Sequence, residues 1–243
     1  MPTIIPILSH GDRSSVLAHI LEQREAHPGF SVIDVGGSVV GWSGGVANAI
    51  VDINPPDTAA ESAIRYFKVN ISRDEDWAVV ERYVAVHGRF DFSICTHTLE
   101  DIANPLLVSR KLSKISKAGY VAVPSKFVEL SRFETVMGYG VAYRGYIHHR
   151  WIYSVRGGAF VGFPKVSFIE MDPFFDQIGG KVTDANIDLS FYWRAPLNLQ
   201  IVNGDYLGPS VDAVIGYYHD QLIGDDVDAV CGAVYAPGPA LCV

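Results

Sequence analysis

The segment from Phe30 to Asn54, FSVIDVGGSVVGWSGGVANAIVDIN, constrains the fold more than any other part of the chain. It reads as strand, glycine-rich turn, short connection and second strand. Ser31 to Val35 is a short apolar run closed by Gly36-Gly37, with Asp34 just ahead of the glycines. A second apolar run, Ala49 to Ile53, carries Asp52 near its end. A buried strand, a turn stripped of side chains and an acidic residue on the next strand make a cradle for a nucleotide. Glycines let the backbone approach the ligand, and a carboxylate can bond both ribose hydroxyls. The same residues serve equally as a tight βα turn in any α/β protein, so their meaning depends on the elements downstream of them.

Around this segment the chain alternates. Residues 11–28 hold a helix with Val16, Leu17, Ile20 and Leu21 as its apolar stripe; Asp12 or Ser14 caps it and Pro28 ends it. It is expected to cover one edge of the sheet. Gly41, Gly44 and Gly45 argue against a long helix over 39–47. Arg65 to Ile71 reads as a third strand. Asp74 then caps a helix with Trp77, Val80, Tyr83 and Val84 inward, stopped by Gly88. Asp91 to Thr96 is the fourth strand. Asn104-Pro105 opens a helix carrying Leu106, Leu107 and Ile115, expected to end over 117–119, and Tyr120 to Val123 is the fifth strand. Strands and helices alternating at this spacing predict a mostly parallel, helix-covered sheet.

After Pro124 the texture changes. Ser125 to Met137 reads as helical, and Tyr139 to Arg150 is rich in glycine and aromatics. Trp151 to Lys165 reads as a hairpin around Gly157-Gly158. The alternating runs Ile187 to Arg194 and Leu197 to Val202 are expected to form an antiparallel pair that closes the sheet. Ser210 to Leu222 is a helix, and the tail over 225–243 offers an edge strand or an oligomer contact. The whole, 1–243, reads as one domain with a lid-like insertion near 125–185.

The formal net charge of −8 disfavours nucleic acid, which leans on basic patches. Lys111, Lys114 and Lys117 fall on one expected helix and read as a solvated face. Cys95, Cys231 and Cys242 form no metal-ligand or redox spacing, and Cys95 reads as a small core residue. Pro2 and Pro6 break up the N-terminus as a leader peptide, and no stretch reaches the ~20 apolar residues of a membrane span. A cytoplasmic protein without membrane contact is the expectation.

Taken in order, Asp34-Val35-Gly36-Gly37, Asp52, Asn70, then CTHTLEDIANP over 95–105 and KAGYVAVPS over 117–125, the pattern resembles class I S-adenosylmethionine-dependent methyltransferases. The fourth-strand element is similar to the family's S-H-x-L-E-H-I-x-D-P signature, and the fifth to its K-P-G-G-x-h-x-h strand. The resemblance covers roughly 14–125. The later YRGYIHHRWIY, over 143–153, resembles a subgroup often met among glycan-modifying genes. The chain departs from the pattern in three places. Ser38 replaces the second glycine of D-x-G-x-G, the connection to the second strand is short, and Glu100-Asp101 stands where the family has Glu-His.

The resemblance implies a Rossmann-like fold: a mostly parallel central sheet, helices on both faces and an antiparallel C-terminal strand pair. It implies S-adenosyl-L-methionine as cofactor and S-adenosyl-L-homocysteine as product. Asp52 would bond the ribose, and Asp34, Gly36, Gly37 and Ser38 would hold the methionine end. Asn70 and Ile71 would border the adenine; Thr96 and His97 would pass beneath the sulfur. The competing reading of Asp52 and Asn70 is turn capping.

Methyl transfer is an in-line displacement that gains from alignment, and a hydroxyl acceptor also needs a base. His97, His148, His149, Glu129 and Asp101 are the candidates. If His148 and His149 lie in an extended segment, only one of them faces the pocket. The histidines with Glu129 could also ligate a metal. Magnesium prefers oxygen, however, and no acidic pair at helical spacing lies nearby, so no metal is expected. Tyr139, Tyr143, Tyr146, Trp151 and Tyr153 can stack on a sugar or simply form core. The favoured partner is a small-molecule or glycan hydroxyl. An N-methyltransferase, a binding or scaffold protein without catalysis, and a dinucleotide oxidoreductase are the rivals; the last lacks a full G-x-G-x-x-G.

Overall fold

The computed structural model describes residues 12–38, 40–54, 63–135, 142–156, 159–194, 196–202 and 210–223. Tyr139, the Gly157-Gly158 turn and the tail with Cys231 and Cys242 lie outside the described residues. The described residues open with α1 (Arg13–Ala26), capped by Asp12, whose carboxylate accepts from the Ser15 amide while the Ser15 hydroxyl accepts from the Asp12 amide. Then come β1 (Val32–Val35), β2 (Ala49–Asp52), β3 (Arg65–Lys68), α2 (Ala78–His87), β4 (Phe90–Thr96), α3 (Pro105–Ile115) and β5 (Ser116–Pro124). After these come α4 (Lys126–Leu130), β6 (Arg132–Thr135), β7 (Ala142–Arg144), β8 (Trp151–Arg156), β9 (Ala159–Pro164), α5 (Phe168–Met171) and α6 (Asp176–Gly179). The last are β10 (Asp188–Arg194), β11 (Leu199–Ile201) and α7 (Val211–Leu222).

The main sheet runs β10-β5-β4-β1-β2-β3, parallel throughout except for β10, which lies antiparallel to β5. Its order reverses between β1 and β4, so a crevice opens at their C-terminal ends. Side-chain alternation explains the two covered faces. Ile33 and Val35 pack with Trp77, Val80, Val108 and Leu112 from the α2 and α3 side. Val32, Phe92, Ile94 and Tyr120 meet Val16 and Ile20 of α1 on the other. Each fully buried large apolar side chain contributes about 1.5–3 kcal/mol, and Trp77 also donates its indole N–H to the Ile71 carbonyl at 3.0 Å. Helix α1 therefore covers a face of the sheet, not an edge.

Several local expectations shift. Helix α3 stops at Ile115, where the Ser116 hydroxyl donates to the Leu112 carbonyl, and the strand starts at once. Lys117 thus sits on β5, paired with Asp91 at 2.6 Å, and Lys111 is buried between Glu81 and Asp74. Asp74, drawn to Lys111, makes no capping bond. The helix expected over 125–137 lasts five residues before β6 begins. The two alternating C-terminal runs part company: β10 joins the main sheet, while β11 pairs parallel to β9 in a separate β11-β9-β8 sheet.

A second core lies under that small sheet, where Phe127, Ile152, Phe163, Phe175, Tyr218 and Leu222 meet. Val202, just past β11, and Tyr218 and Leu222 of α7 belong to the same core. Its hub is Arg144, fully buried, whose guanidinium donates to the carbonyls of Ile169 (2.9 Å), Leu130 (2.7 Å) and Asp172 (3.0 Å) and pairs with Asp176 at 2.7 Å. A buried guanidinium is tolerable only when its donors are this fully used.

Candidate active site

A cavity of about 320 Å³ opens at the crevice, within the range that holds small ligands. Gly36, Asp52, Asn70, Ile71, His97 and Asp101 are among the residues that line it. Gly36 has φ +82, and a Cβ there would strike the Thr98 side chain. The bare backbone is thus required both by conformation and by space, which is the cradle expected of a close-bound ligand. Asp52 accepts from the Asn54 amide at 2.7 Å and Asn70 from the Ser72 amide at 3.1 Å. The turn-capping role is real for both. A carboxylate has acceptor sites to spare beyond one local bond, so capping and ligand contact coexist at Asp52.

Asp34, Gly37, Ser38 and Thr96 stand outside the lining. Thr96 accepts from the Trp42 indole N–H at 3.4 Å, on the α1 side. Asp34 lies directly under Gly37, where a Cβ would overlap its carboxylate, and it accepts from the Ser43 hydroxyl. Burial raises its carboxyl pKa to about 6; the Ser43 bond opposes the rise and the charge of Asp52 adds to it. The glycine pair therefore serves two ends: Gly36 faces the ligand space, and Gly37 makes room for an acid beneath it.

His97 follows β4 with φ +49; among the described residues it is the one non-glycine residue at positive φ. Such a backbone costs on the order of 1–3 kcal/mol and marks functional positions more than others. Its Nε2 lies 3.2 Å from Asp188 and its Nδ1 3.6 Å from Glu100. The bond to Asp188 raises the imidazole pKa, against burial. Glu100 is 1% exposed and both its oxygens lack a hydrogen-bond partner among the described residues, since 3.6 Å is too long for one. Burial lifts its carboxyl to about 7.

The 148–153 segment is fastened to the loop after β4 by three bonds: Arg150 N–H to the Glu100 carbonyl (2.7 Å), the Trp151 indole to the Ile102 carbonyl (2.8 Å) and the Tyr153 hydroxyl to the Leu99 carbonyl (3.0 Å). Tyr153 is thereby core, not a stacking platform. His148 and His149 sit in a turn and not in a strand, so alternation does not separate them; their rings meet edge to face at 4.5 Å. Both Nε2 atoms lie 3.6 Å from the Asp101 carboxylate. Glu129 is fully buried. One oxygen lies 2.6 Å from His149 Nδ1 and the other accepts from Lys165 Nζ at 2.8 Å. With both oxygens engaged and no surface exposed to an acceptor, Glu129 is placed to orient His149.

Thr98, Asp188 and Lys165 were not singled out by the sequence. Thr98 lies inside the fourth-strand element and could have been; Asp188 and Lys165 arrive from distant strands and carried no local signal.

The chain matches no family model and no curated protein. It is similar to solved structures at low identity. A cyclopropane-fatty-acyl-phospholipid synthase-like protein from Lactobacillus casei aligns at 14% identity, over 78% of this chain and 96% of that one, with a TM-score of 0.35. The methyltransferase domain of bacterial CtHen1 aligns at 11% identity over 74% and 97%, with a TM-score of 0.37. The N-terminal domain of EvdMO1, solved with SAH bound, aligns at 17% identity over 56% and 57%, with a TM-score of 0.25. The fold assignment rests on the strand order and register of the chain itself.

Proposed function

From the premise of a Rossmann-like class I methyltransferase fold, we propose that the chain transfers a methyl group from S-adenosyl-L-methionine to a hydroxyl of a sugar, glycan or other small molecule. The observation that carries this is the convergence of Gly36, Asp52, Asn70 and His97 on one cavity at the sheet's reversal point. Bound there, S-adenosyl-L-methionine supplies an electrophilic methyl on a sulfonium. Asp52 accepts from the ribose hydroxyls, Asn70 and Ile71 border the base, and the bare Gly36 backbone lets the ligand approach closely.

Among the candidate bases, His97 is the histidine that lines the cavity. Asp188 accepts from its Nε2–H, which leaves Nδ1 as the atom that takes the acceptor's proton. A positioned base contributes roughly 10²- to 10⁴-fold, and alignment supplies much of the rest. Calorimetry with S-adenosyl-L-homocysteine and with NAD tests the reading. Heat of binding from the first and none from the second supports it, and NAD binding alone overturns it.

A further inference from the structure

We infer that Asp101, His148 and His149 bind one divalent transition-metal ion, Zn²⁺, beside the cavity that Asp101 helps to line. Their ligand atoms all lie within 4.8 Å of one another. The 3.6 Å from the Asp101 oxygen to each histidine Nε2 is informative. It is too long for a hydrogen bond. It is close to the ~3.4 Å that separates two ligand atoms each ~2.1 Å from a shared tetrahedral ion. The three groups are thus spaced for something between them.

An independent observation points the same way. A metal-binding imidazole is normally held by a bond from its other nitrogen to a carboxylate, which fixes the tautomer and raises its basicity. His149 has that arrangement. Its Nδ1 faces buried Glu129 at 2.6 Å, leaving Nε2 as the lone-pair donor toward Asp101. Glu129 is fixed in turn by Lys165, whose ammonium also donates to the Tyr146 carbonyl at 2.7 Å. Two imidazoles and one carboxylate suit zinc, not the oxygen shells preferred by magnesium, calcium or manganese. The expectation of no metal weighed magnesium alone and did not foresee Asp101 joining the two histidines.

Three protein ligands leave a tetrahedral ion one open position, and Asp101 borders the cavity. Resting on the proposed methyl transfer, this position takes the acceptor hydroxyl and lowers its pKa. The proton passes to His97 Nδ1, the new O–CH₃ bond forms as the S–CH₃ bond breaks, and the sulfonium leaves as a neutral thioether.

The test uses the full chain without a histidine tag, stripped with chelator. Co²⁺ titration followed by visible absorption, and calorimetry with Zn²⁺ and Mg²⁺, should show one site for Co²⁺ and Zn²⁺ with Mg²⁺ far weaker. His148 is exposed, so His148→Ala should fold and lose at least tenfold in Co²⁺ affinity. Glu129→Gln should lose roughly 10- to 100-fold, the usual cost of removing such a supporting carboxylate. No Co²⁺ or Zn²⁺ binding by the unaltered protein, or unchanged affinity in His148→Ala, overturns the site. S-adenosyl-L-homocysteine calorimetry on the same stripped sample separates the two claims. Cofactor binding without metal binding removes the site and spares the methyl-transfer reading; metal binding without cofactor binding supports the site and removes the acceptor's role.

Discussion

Replacing Asp34 by asparagine should make the fold more stable while weakening the ligand site. Asp34 is 3% exposed, and burial raises its carboxyl pKa from an ordinary 3.8 to about 6. Between those two values the native chain holds a proton that the unfolded chain has released. Stability therefore falls as pH rises through that window and is flat above it. A displacement of about two units corresponds to about 3 kcal/mol at pH 8 and roughly half of that at pH 5. Asparagine keeps the shape without the charge, so Asp34→Asn should recover up to about 3 kcal/mol at pH 8, less whatever its amide protons lose by going unpaired. Urea unfolding at pH 5 and pH 8 reads this as a shift in midpoint at constant slope. The gain should be larger at pH 8. A variant less stable than the parent at pH 8, or a difference that ignores pH, refutes the account. The same variant should bind S-adenosyl-L-methionine about tenfold more weakly, with a smaller loss for the neutral thioether S-adenosyl-L-homocysteine, since a costly buried anion beneath the turn favours a cationic ligand above it.

His97→Ala should lose roughly 10²- to 10⁴-fold in turnover with cofactor binding intact. The parent's rate should rise with pH through a value above 6.5, since the Asp188 bond raises the imidazole and the base works deprotonated. Asp188→Asn should move that limb to lower pH, and an unmoved limb rejects the pairing. Asp52→Ala should weaken S-adenosyl-L-homocysteine binding by roughly 1–3 kcal/mol in calorimetry; an unchanged Kd takes the ribose role away. Arg144→Met strands the buried Leu130 and Ile169 carbonyls, at about 1–3 kcal/mol each in urea unfolding, and should leave the Kd of the folded fraction alone. A cost below about 1 kcal/mol would mean that water replaces the guanidinium there.

The part of the site that was legible in the sequence is the part built from short-range signals. Gly36, Asp52, Asn70, Ile71 and His97 each sit at the end of a strand whose apolar run and turn residues lie within a few positions, and all five reach the cavity. Asp34 and Gly37 were legible as residues but not in role. Only the packing shows that the glycine makes room for the acid beneath it. The orienting partners were illegible for a different reason. Asp188 meets His97 across 91 positions and Lys165 meets Glu129 across 36. Gly145, at φ +56, lets its loop lie against Glu129 where a Cβ would strike the backbone. Helix α4 failed early for the same kind of reason, because Arg132 answers to Asp176 and the Glu170 carbonyl and not to its own neighbours.

The central place of β1 has a consequence for the order in which the protein comes into being. Ile33 has Ala49 on one side, available almost at once, but on the other side its partner is Ser93, sixty residues later. At ~5–20 residues per second of synthesis, that flank of β1 waits roughly 3–12 s for its neighbour. Helix α1 waits longer, because Val16 and Ile20 are covered by Phe92, Ile94, Tyr120 and Ala122. Helix α1 leaves the ribosome ahead of every strand described above and yet is among the last of these elements to be buried. A nascent chain halted before Phe90 would show β1 open on one flank and a bare helix stripe together, and would be a template for aggregation or a client for a chaperone.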